Sequence, residues 1–238
     1  MIPQSSTESF PKVIFFDAMG TLFDLNTNVG EIYQRFALKY GVKADLKDLN
    51  KAFTISFKSS PPLAFEAAEL EIIKQQEFNW WKSIVEITFD QISLLENFSD
   101  FTGFFQEIYL YFGTKEPWYI FPDVIPALEK YQSKGIQLGI ISNFDTRLNQ
   151  ILNQLYLTDY FNTVTISSVA GFAKPDENIF KLALKKQDFT AQQALHIGDS
   201  IVEDYQGAKS IGINSFWLNR RGVLRKIENQ LPNLSSLG

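Results

Sequence analysis

Two aspartates directly follow short apolar runs of the kind that form buried strands. Asp17 follows Val-Ile-Phe-Phe, and Asp199 follows Ala-Leu-His-Ile-Gly. In an open parallel sheet the carboxyl ends of the strands meet at one edge, where such proteins bind ligands. Two carboxylates placed there repel each other unless a cation lies between them, and oxygen ligands suit Mg²⁺. Gly20 lets the backbone turn sharply after the first strand, which can expose the carbonyl of Met19 as a further ligand.

Hydrogen-bond donors occupy similar positions elsewhere in the chain. Ser142-Asn143 ends another apolar run, Lys174 precedes a helical pattern, and Thr21 follows the first strand. Hydroxyl, amide and ammonium groups can hold a tetrahedral anion and stabilise the charge that develops on it. A carboxylate beside such an anion can act as a covalent nucleophile.

Apolar runs and helical patterns alternate along most of the chain. The runs predict strands at Val13–Asp17, Gln137–Ser142, Thr163–Ser167, Ala194–Gly198 and Asn214–Leu218. Helical spacing between the late runs predicts helices at Pro122–Lys134 and Asp145–Leu155, and a third helix that Asp176 caps. This alternation predicts an α/β fold with a parallel sheet.

The segment after the first strand has a different pattern. It predicts only helices, at Glu31–Tyr40, Lys47–Lys58, Phe65–Phe89 and Phe98–Phe112. We therefore predict a core built from residues 1–25 and 114–238, and an all-helical cap at 26–113 with hinges at Asp24–Asn28 and Gly113–Pro117. A long insertion at a loop tip costs little closure entropy.

The composition of the chain excludes several kinds of reactive site. The chain has 238 residues, a formal charge of −5, no Cys and one His. These counts exclude a disulfide scaffold, a thiolate nucleophile and Cys-ligated zinc, and we expect His196, inside an apolar run, to be structural. The negative charge argues against nucleic-acid or membrane-surface binding. We expect no signal peptide at Met1 to Phe10, no membrane span, and a cytoplasmic location.

Aromatic residues are unusually frequent, at 15% of the chain with 22 Phe, and many fall in the predicted cap and its exit. They fit a helical-bundle core packed against the sheet domain. The alternatives are the wall of an apolar pocket or a dimer surface, and the oligomeric state is left as monomer or homodimer.

In chain order, four motifs resemble those of the haloacid dehalogenase-like (HAD) hydrolases, over nearly the whole chain. They are Asp17-Ala-Met-Gly-Thr21, Ser142-Asn143, Lys174-Pro-Asp, and Gly198-Asp199 followed by Asp204. The resemblance implies a Rossmann-like parallel sheet core flanked by helices, with an inserted helical cap. It also implies Mg²⁺, a small phosphorylated substrate and an aspartyl-enzyme intermediate.

The resemblance assigns roles to individual residues. Asp17 would be the nucleophile, and the implied catalytic residues are Asp17, Lys174 and Ser142. The implied substrate-binding residues are Thr21, Ser142, Asn143 and Lys174. The implied metal ligands are Asp17, the Met19 carbonyl, Asp199 and, through water, Asp204.

Met19 departs from the family's pattern. The family's phosphatases carry a second Asp at this position, which protonates the leaving group, whereas a thioether carries no proton at pH 7. Losing a general acid–base removes a factor of roughly 10²–10⁴ in rate. We therefore expect a Mg²⁺-dependent, phosphatase-like hydrolase with restricted activity on substrates that have good leaving groups. Asp145 and Glu203 are candidate replacement donors, although both also fit solvated helix N-termini.

Two other functions stay open at this level. The family's 2-haloacid dehalogenases also lack the second Asp, but they use a metal-free fourth motif and a cap arginine, whereas Asp199 is present here and Arg35 is the sole cap arginine. A phosphonate hydrolase is a lesser variant of this function and would need a cap lysine, for which Lys58 is the candidate. The second is a non-catalytic phosphate- or partner-binding protein, against which the presence of Asp17, Lys174 and Asp199 argues, since such a protein needs no nucleophile.

Overall fold

The computed structural model describes residues 11–66 and 68–237, so the expectation for Met1 to Phe10 lies outside the described residues. The strands are β1 (Val13–Phe16), β2 (Phe23–Leu25), β3 (Trp118–Ile120), β4 (Gln137–Ser142), β5 (Thr163–Ile166), β6 (Ala194–Gly198), β7 (Asn214–Leu218) and β8 (Gln230–Leu231). The α-helices are α1 (Val29–Lys39), α2 (Leu46–Ser59), α3 (Leu70–Gln91), α4 (Phe101–Phe112), α5 (Val124–Ser133), α6 (Arg147–Gln154), α7 (Ser167–Ala170), α8 (Glu177–Gln187) and α9 (Gly207–Ser210).

Six strands form one parallel sheet in the order β5-β4-β1-β6-β7-β8. In the register of the central strands, Phe16 of β1 lies level with Ile140 of β4 and Ile197 of β6. All four residues of β1 are buried, because helices cover both faces of the sheet. The residues that follow β1, β4 and β6 therefore meet at one edge.

The two faces of the sheet carry separate hydrophobic clusters. Ile14 and Phe16 pack with residues of α5 and α6 on one face. On the other face, Val13 and Phe15 pack with Phe180 and its neighbours on α8. Successive β1 side chains alternate between these clusters, as the period of two in a strand requires. The predicted parallel α/β core is confirmed.

Helices α1 to α4 lie between β2 and β3 in the chain, and their buried aromatic residues form a third cluster that includes Tyr33, Phe89 and Phe104. The segment contains no strand among its described residues, as predicted. The all-helical character is thus observed, whereas the domain limits at residues 25 and 114 stay a prediction.

Two details of this segment differ from the sequence-based expectation. The helix expected from Phe65 begins only at Leu70, because the chain before it reaches the core, where the Ser167 hydroxyl donates to the Leu63 carbonyl at 2.6 Å. The helix expected from Phe98 begins at Phe101, after its capping residue Asp100.

Two short strands that the sequence did not indicate lie at the first expected hinge and directly after the second. β2 and β3 pair antiparallel, with Phe23 opposite Ile120. The segment that leads from the sheet into the helices is therefore hydrogen-bonded to the segment that leads back to the sheet. No helix in the described part of the chain is both long and apolar enough to cross a membrane.

Candidate active site

Three carboxylates meet beyond the carboxyl edge of the sheet. Oxygens of Asp17, Asp199 and Asp204 lie within 4.8 Å of one another, and Asp199 is the most exposed of the three. Gly20 turns the loop after β1 with a φ of +82°, and a Cβ there would lie only 2.7 Å from the Asp199 carboxyl. The glycine is therefore required both for the turn and for the close approach of the two loops.

Lys174 lies between two of these carboxylates. Its Nζ donates to Asp17 Oδ1 at 2.7 Å and to Asp204 Oδ1 at 2.5 Å, and the whole side chain is buried. Burial alone would lower the pKa of Lys174, but the two carboxylates outweigh it and raise that pKa. The side chain therefore stays an ammonium ion beside Asp17.

Asp204 is held by several donors. Its Oδ1 also lies 2.9 Å from His196 Nε2, and its Oδ2 accepts the Ser200 amide at 3.0 Å. Burial would raise the pKa of Asp204, but Lys174 and His196 outweigh it and hold that pKa well below its usual range. His196 is buried and hydrogen-bonded, which confirms its expected structural role.

The predicted nucleophile lies at the base of the site. Asp17 Oδ1 accepts the Ser142 hydroxyl at 3.1 Å as well as the Lys174 ammonium. Burial raises the pKa of Asp17, while Lys174 opposes that increase. Loss of solvent around the Asp199 carboxyl, together with repulsion from Asp17 and Asp204, raises the pKa of Asp199 to about 7. Both carboxylates therefore ionise more readily once further positive charge is present.

The charge of the cluster fits a divalent cation. Three carboxylates and one ammonium leave two negative charges uncompensated among Asp17, Asp199, Asp204 and Lys174. The Met19 carbonyl accepts no hydrogen bond from the described residues, so it is a further free oxygen at this loop. A set made only of oxygen ligands is what Mg²⁺ prefers.

One predicted substrate-binding residue, Thr21, does not face the cleft, whereas Asn143 lines it. The side chain of Thr21 is fully buried, and its Oγ1 has no hydrogen-bond partner among the described residues and does not line the cleft. The Asn143 amide exchanges two hydrogen bonds with the backbone of Lys174, at 2.9 and 2.7 Å. Asn143 therefore positions the lysine loop, while Ser142 and Lys174 contact Asp17 directly.

A cleft of about 610 Å³ opens above the carboxylates, between the core and helices α2 and α3. Phe57, Lys58 and Trp81 of the helical segment line it opposite Asp17. The Met19 side chain is 39% exposed and lines the same cleft. The thioether thus occupies the space where the resemblance would place a proton donor.

The two candidate replacement donors differ in accessibility. Asp145 is fully buried, forms a two-point contact with the Arg147 guanidinium at 2.9 and 2.6 Å, and accepts the Trp81 indole N–H at 2.7 Å. It has no access to the cleft. Glu203 is exposed and lines the cleft. Glu203 and Asp24 are the cleft carboxylates outside the cluster in the described part of the chain.

A family model described as haloacid dehalogenase-like hydrolase matches residues 11–212, which is most of the chain. The chain belongs to the haloacid dehalogenase-like hydrolases. It is 30% identical over 213 residues to haloacid dehalogenase-like hydrolase domain-containing protein 3 of Danio rerio, a match that covers 87% of this chain and 85% of the relative.

Solved structures of this family share the fold. The HAD phosphatase from Thermococcus onnurineus matches with a TM-score of 0.63 and 22% identity over 95% of each chain. A 2-haloacid dehalogenase from Pseudomonas syringae matches with a TM-score of 0.65 and 21% identity over 96% of each chain. The Rossmann-like α/β fold expected from the sequence is confirmed. At these identities neither structure decides between the two reactions.

Sequence reasoning missed the contact that Glu77 of α3 makes with the core. Its buried carboxylate accepts the Thr146 amide at 2.9 Å, the Thr146 hydroxyl at 2.5 Å and the Ser168 hydroxyl at 2.6 Å. Burial raises the pKa of Glu77, and the three donors oppose that rise. A glutamate inside a helical pattern carries no signal that it will be buried against a distant loop.

Proposed function

We propose that this HAD-like hydrolase is a Mg²⁺-dependent phosphatase that acts on phosphate esters with good leaving groups. The observation that carries the proposal is the placement of the Asp17 carboxylate, which lies beside the Lys174 ammonium and two further carboxylates at the base of an open cleft. This arrangement supplies a nucleophile, a fixed positive charge and a set of oxygen ligands within one site.

In the proposed reaction, a carboxylate oxygen of Asp17 attacks phosphorus. The bond between phosphorus and the ester oxygen breaks, its electron pair leaves with the alcohol oxygen, and an aspartyl phosphate remains. Water then attacks that phosphorus, inorganic phosphate leaves, and the Asp17 carboxylate is restored. Lys174 and the Ser142 hydroxyl, both in contact with Asp17, would hold the phosphoryl oxygens and offset their charge.

The metal would be held by Asp17, the Met19 carbonyl and Asp199. A bound Mg²⁺ would supply the positive charge needed to bring a phosphate dianion close to three carboxylates. Asp204 would act on this set indirectly, because its oxygens already accept bonds from Lys174, His196 and Ser200.

Met19 restricts the substrate. Without a proton donor at this position the alcohol oxygen must leave as an anion, so aryl phosphates should react far faster than alkyl phosphates. Glu203 is the accessible carboxyl that could take over part of the proton transfer. Asp145 does not fit that role, because Arg147 and Trp81 enclose it.

The second candidate is C–halogen hydrolysis, which needs no leaving-group acid and so also fits Met19. It would need a free cation for the substrate carboxylate. Arg35 instead stacks on the Phe36 and Tyr111 rings outside the cleft, and the Arg147 guanidinium is paired with Asp145. Lys58 and Arg221 are cations that do line the cleft, so this second candidate stays open. Lys58 also keeps a phosphonate hydrolase as a minor alternative.

One activity panel tests these functions. Phenyl phosphate, n-propyl phosphate and 2-chloropropionate are offered with Mg²⁺ or with a chelator, and Asp17→Asn is the control. The proposal expects Mg²⁺-dependent release of phosphate from the aryl ester, at least 100-fold faster than from the alkyl ester. Equal rates would contradict the role given to Met19. Halide release in the presence of chelator would favour the dehalogenase. No turnover of any substrate, together with metal-dependent binding of vanadate, would favour a binding protein.

The remaining elements of the proposal rest on composition alone. A formal charge of −5 favours a small phosphorylated molecule over nucleic acid or a membrane surface as the partner. We place the enzyme in the cytoplasm, as a monomer or homodimer.

A further inference from the structure

A second cavity of about 210 Å³ lies behind Met19, inside the helical segment. Its walls are almost entirely apolar and include Val85 and Ile108, both fully buried, together with Trp118 at the exit from the helices. Dry apolar cavities of roughly 150 Å³ hold a benzene molecule in another protein. This cavity is therefore large enough for a phenyl ring with a short side chain.

The cavity lies directly beside the catalytic cleft. Four residues, Met19, Phe57, Trp81 and Phe144, line both spaces. Met19 and Phe57 are 39% and 45% exposed, so the boundary between the two spaces consists of apolar surface in contact with solvent. Such a surface inside a concave site is stabilised when an apolar group of a ligand covers it.

The polar groups near the cavity limit what it can hold. The Arg147 guanidinium contacts the Asp145 carboxylate and the Tyr109 carbonyl, so its charge is already compensated. Tyr33 is 2% exposed and also lines the cavity. With no uncompensated charge at its walls, the cavity fits an uncharged, largely apolar group.

We propose that this cavity binds the leaving group of the substrate, which is the aryl phosphate of a phenol with a small apolar side chain. The phosphoryl group would lie at Asp17 and Lys174, and the ring would extend past Met19 into the cavity. This assignment rests on the proposed phosphatase function and adds the chemical class of its substrate.

A homologous series of 4-alkylphenyl phosphates tests the assignment. The phenols carry hydrogen, methyl, ethyl or propyl and have nearly the same acidity, so differences in kcat/KM report on the size of the apolar group. A buried methylene contributes about 0.8 kcal/mol, which corresponds to about a fourfold increase in kcat/KM per carbon. We expect that increase up to the side chain that fills the cavity, followed by a decrease.

Two substitutions on α3 provide a matched pair. Val85→Phe places a ring in the cavity, whereas Ile87→Phe places the same ring on the exposed face of the helix. The first should remove the dependence on side-chain length, and the second should preserve it. n-Propylbenzene should inhibit competitively and should change the tryptophan fluorescence, because Trp81 and Trp118 line the cavity.

The outcomes separate this inference from the function on which it rests. The enzyme could hydrolyse aryl phosphates with a kcat/KM that does not change along the 4-alkyl series, or without inhibition by n-propylbenzene. Either result would overturn the cavity assignment and leave the phosphatase function standing. Absence of turnover with every aryl phosphate would overturn both. If Val85→Phe fails to fold, the series and the inhibition measured on the unaltered protein still decide the question.

Discussion

Replacing Met19 by Asp should restore the proton donor that the site lacks. Its side chain is 39% exposed in the cleft, so a carboxyl there would not be forced into an apolar environment. The neighbouring carboxylates of Asp17 and Asp199 would raise the pKa of the introduced group and favour the protonated form that an acid needs. General acid catalysis contributes roughly 10²–10⁴ in rate, or about 3–5 kcal/mol of the barrier.

The gain should depend on the leaving group. For n-propyl phosphate, kcat should rise at least 100-fold in Met19→Asp, whereas for 4-nitrophenyl phosphate it should change less than tenfold, since that anion leaves without a proton. Phosphate release under saturating Mg²⁺ measures both. Met19→Asn is the matched control, because it adds a polar group of the same shape without a transferable proton. An equal gain in both variants, or no gain in either, would refute the reasoning about the missing acid.

Three further predictions concern stability. Mg²⁺ at 100 times its Kd should stabilise the fold by about 2.7 kcal/mol, or roughly 5–10 °C in thermal unfolding, and Asp199→Asn should lose most of that shift. Glu77→Ala leaves buried donors of Thr146 and Ser168 without an acceptor, so urea unfolding should show a loss of about 2–5 kcal/mol, and Glu77→Gln a smaller one. The Arg220 guanidinium and the Leu234 amide outweigh burial and lower the pKa of Asp123, so its stabilisation is present above about pH 4 and is lost as the pH falls through the lowered value. Asp123→Asn should thus be less stable than the unaltered protein at pH 7 by about 1 kcal/mol, and this difference should shrink as the pH falls below about 4.

The sheet could be predicted from sequence because its strands are buried on both faces. In the run from Gln137 to Ser142, the residues between the two ends are Leu-Gly-Ile-Ile and are all buried, as a strand in a parallel sheet covered by helices requires. Once the strands are predicted, their carboxyl ends are known, and Asp17 and Asp199 are the residues that come directly after two of those ends. The three-residue strands β2 and β3 carry no such pattern, since pairing with a distant segment stabilises them.

Contacts between distant segments account for the other differences. Thr21 follows the nucleophile closely in sequence, yet its side chain is buried in the core, and its carbonyl accepts a hydrogen bond from Arg220 at 2.7 Å. In the sequence, Asp145 looks like an ordinary helix N-terminal residue. In the structure, α3 packs on the core and brings the Trp81 indole N–H into hydrogen-bond contact with the Asp145 carboxylate. No local pattern in the sequence encodes either arrangement.

Met19 links the two halves of the proposed function. The same side chain that cannot donate a proton also forms the apolar boundary between the cleft and the inner cavity. A substitution that restores the acid should therefore weaken the binding of an apolar leaving group. Met19→Asp should increase the rate on n-propyl phosphate while reducing the preference for 4-propylphenyl over phenyl phosphate, and Met19→Leu should change neither. If the preference survives in Met19→Asp, the leaving group does not pass this residue.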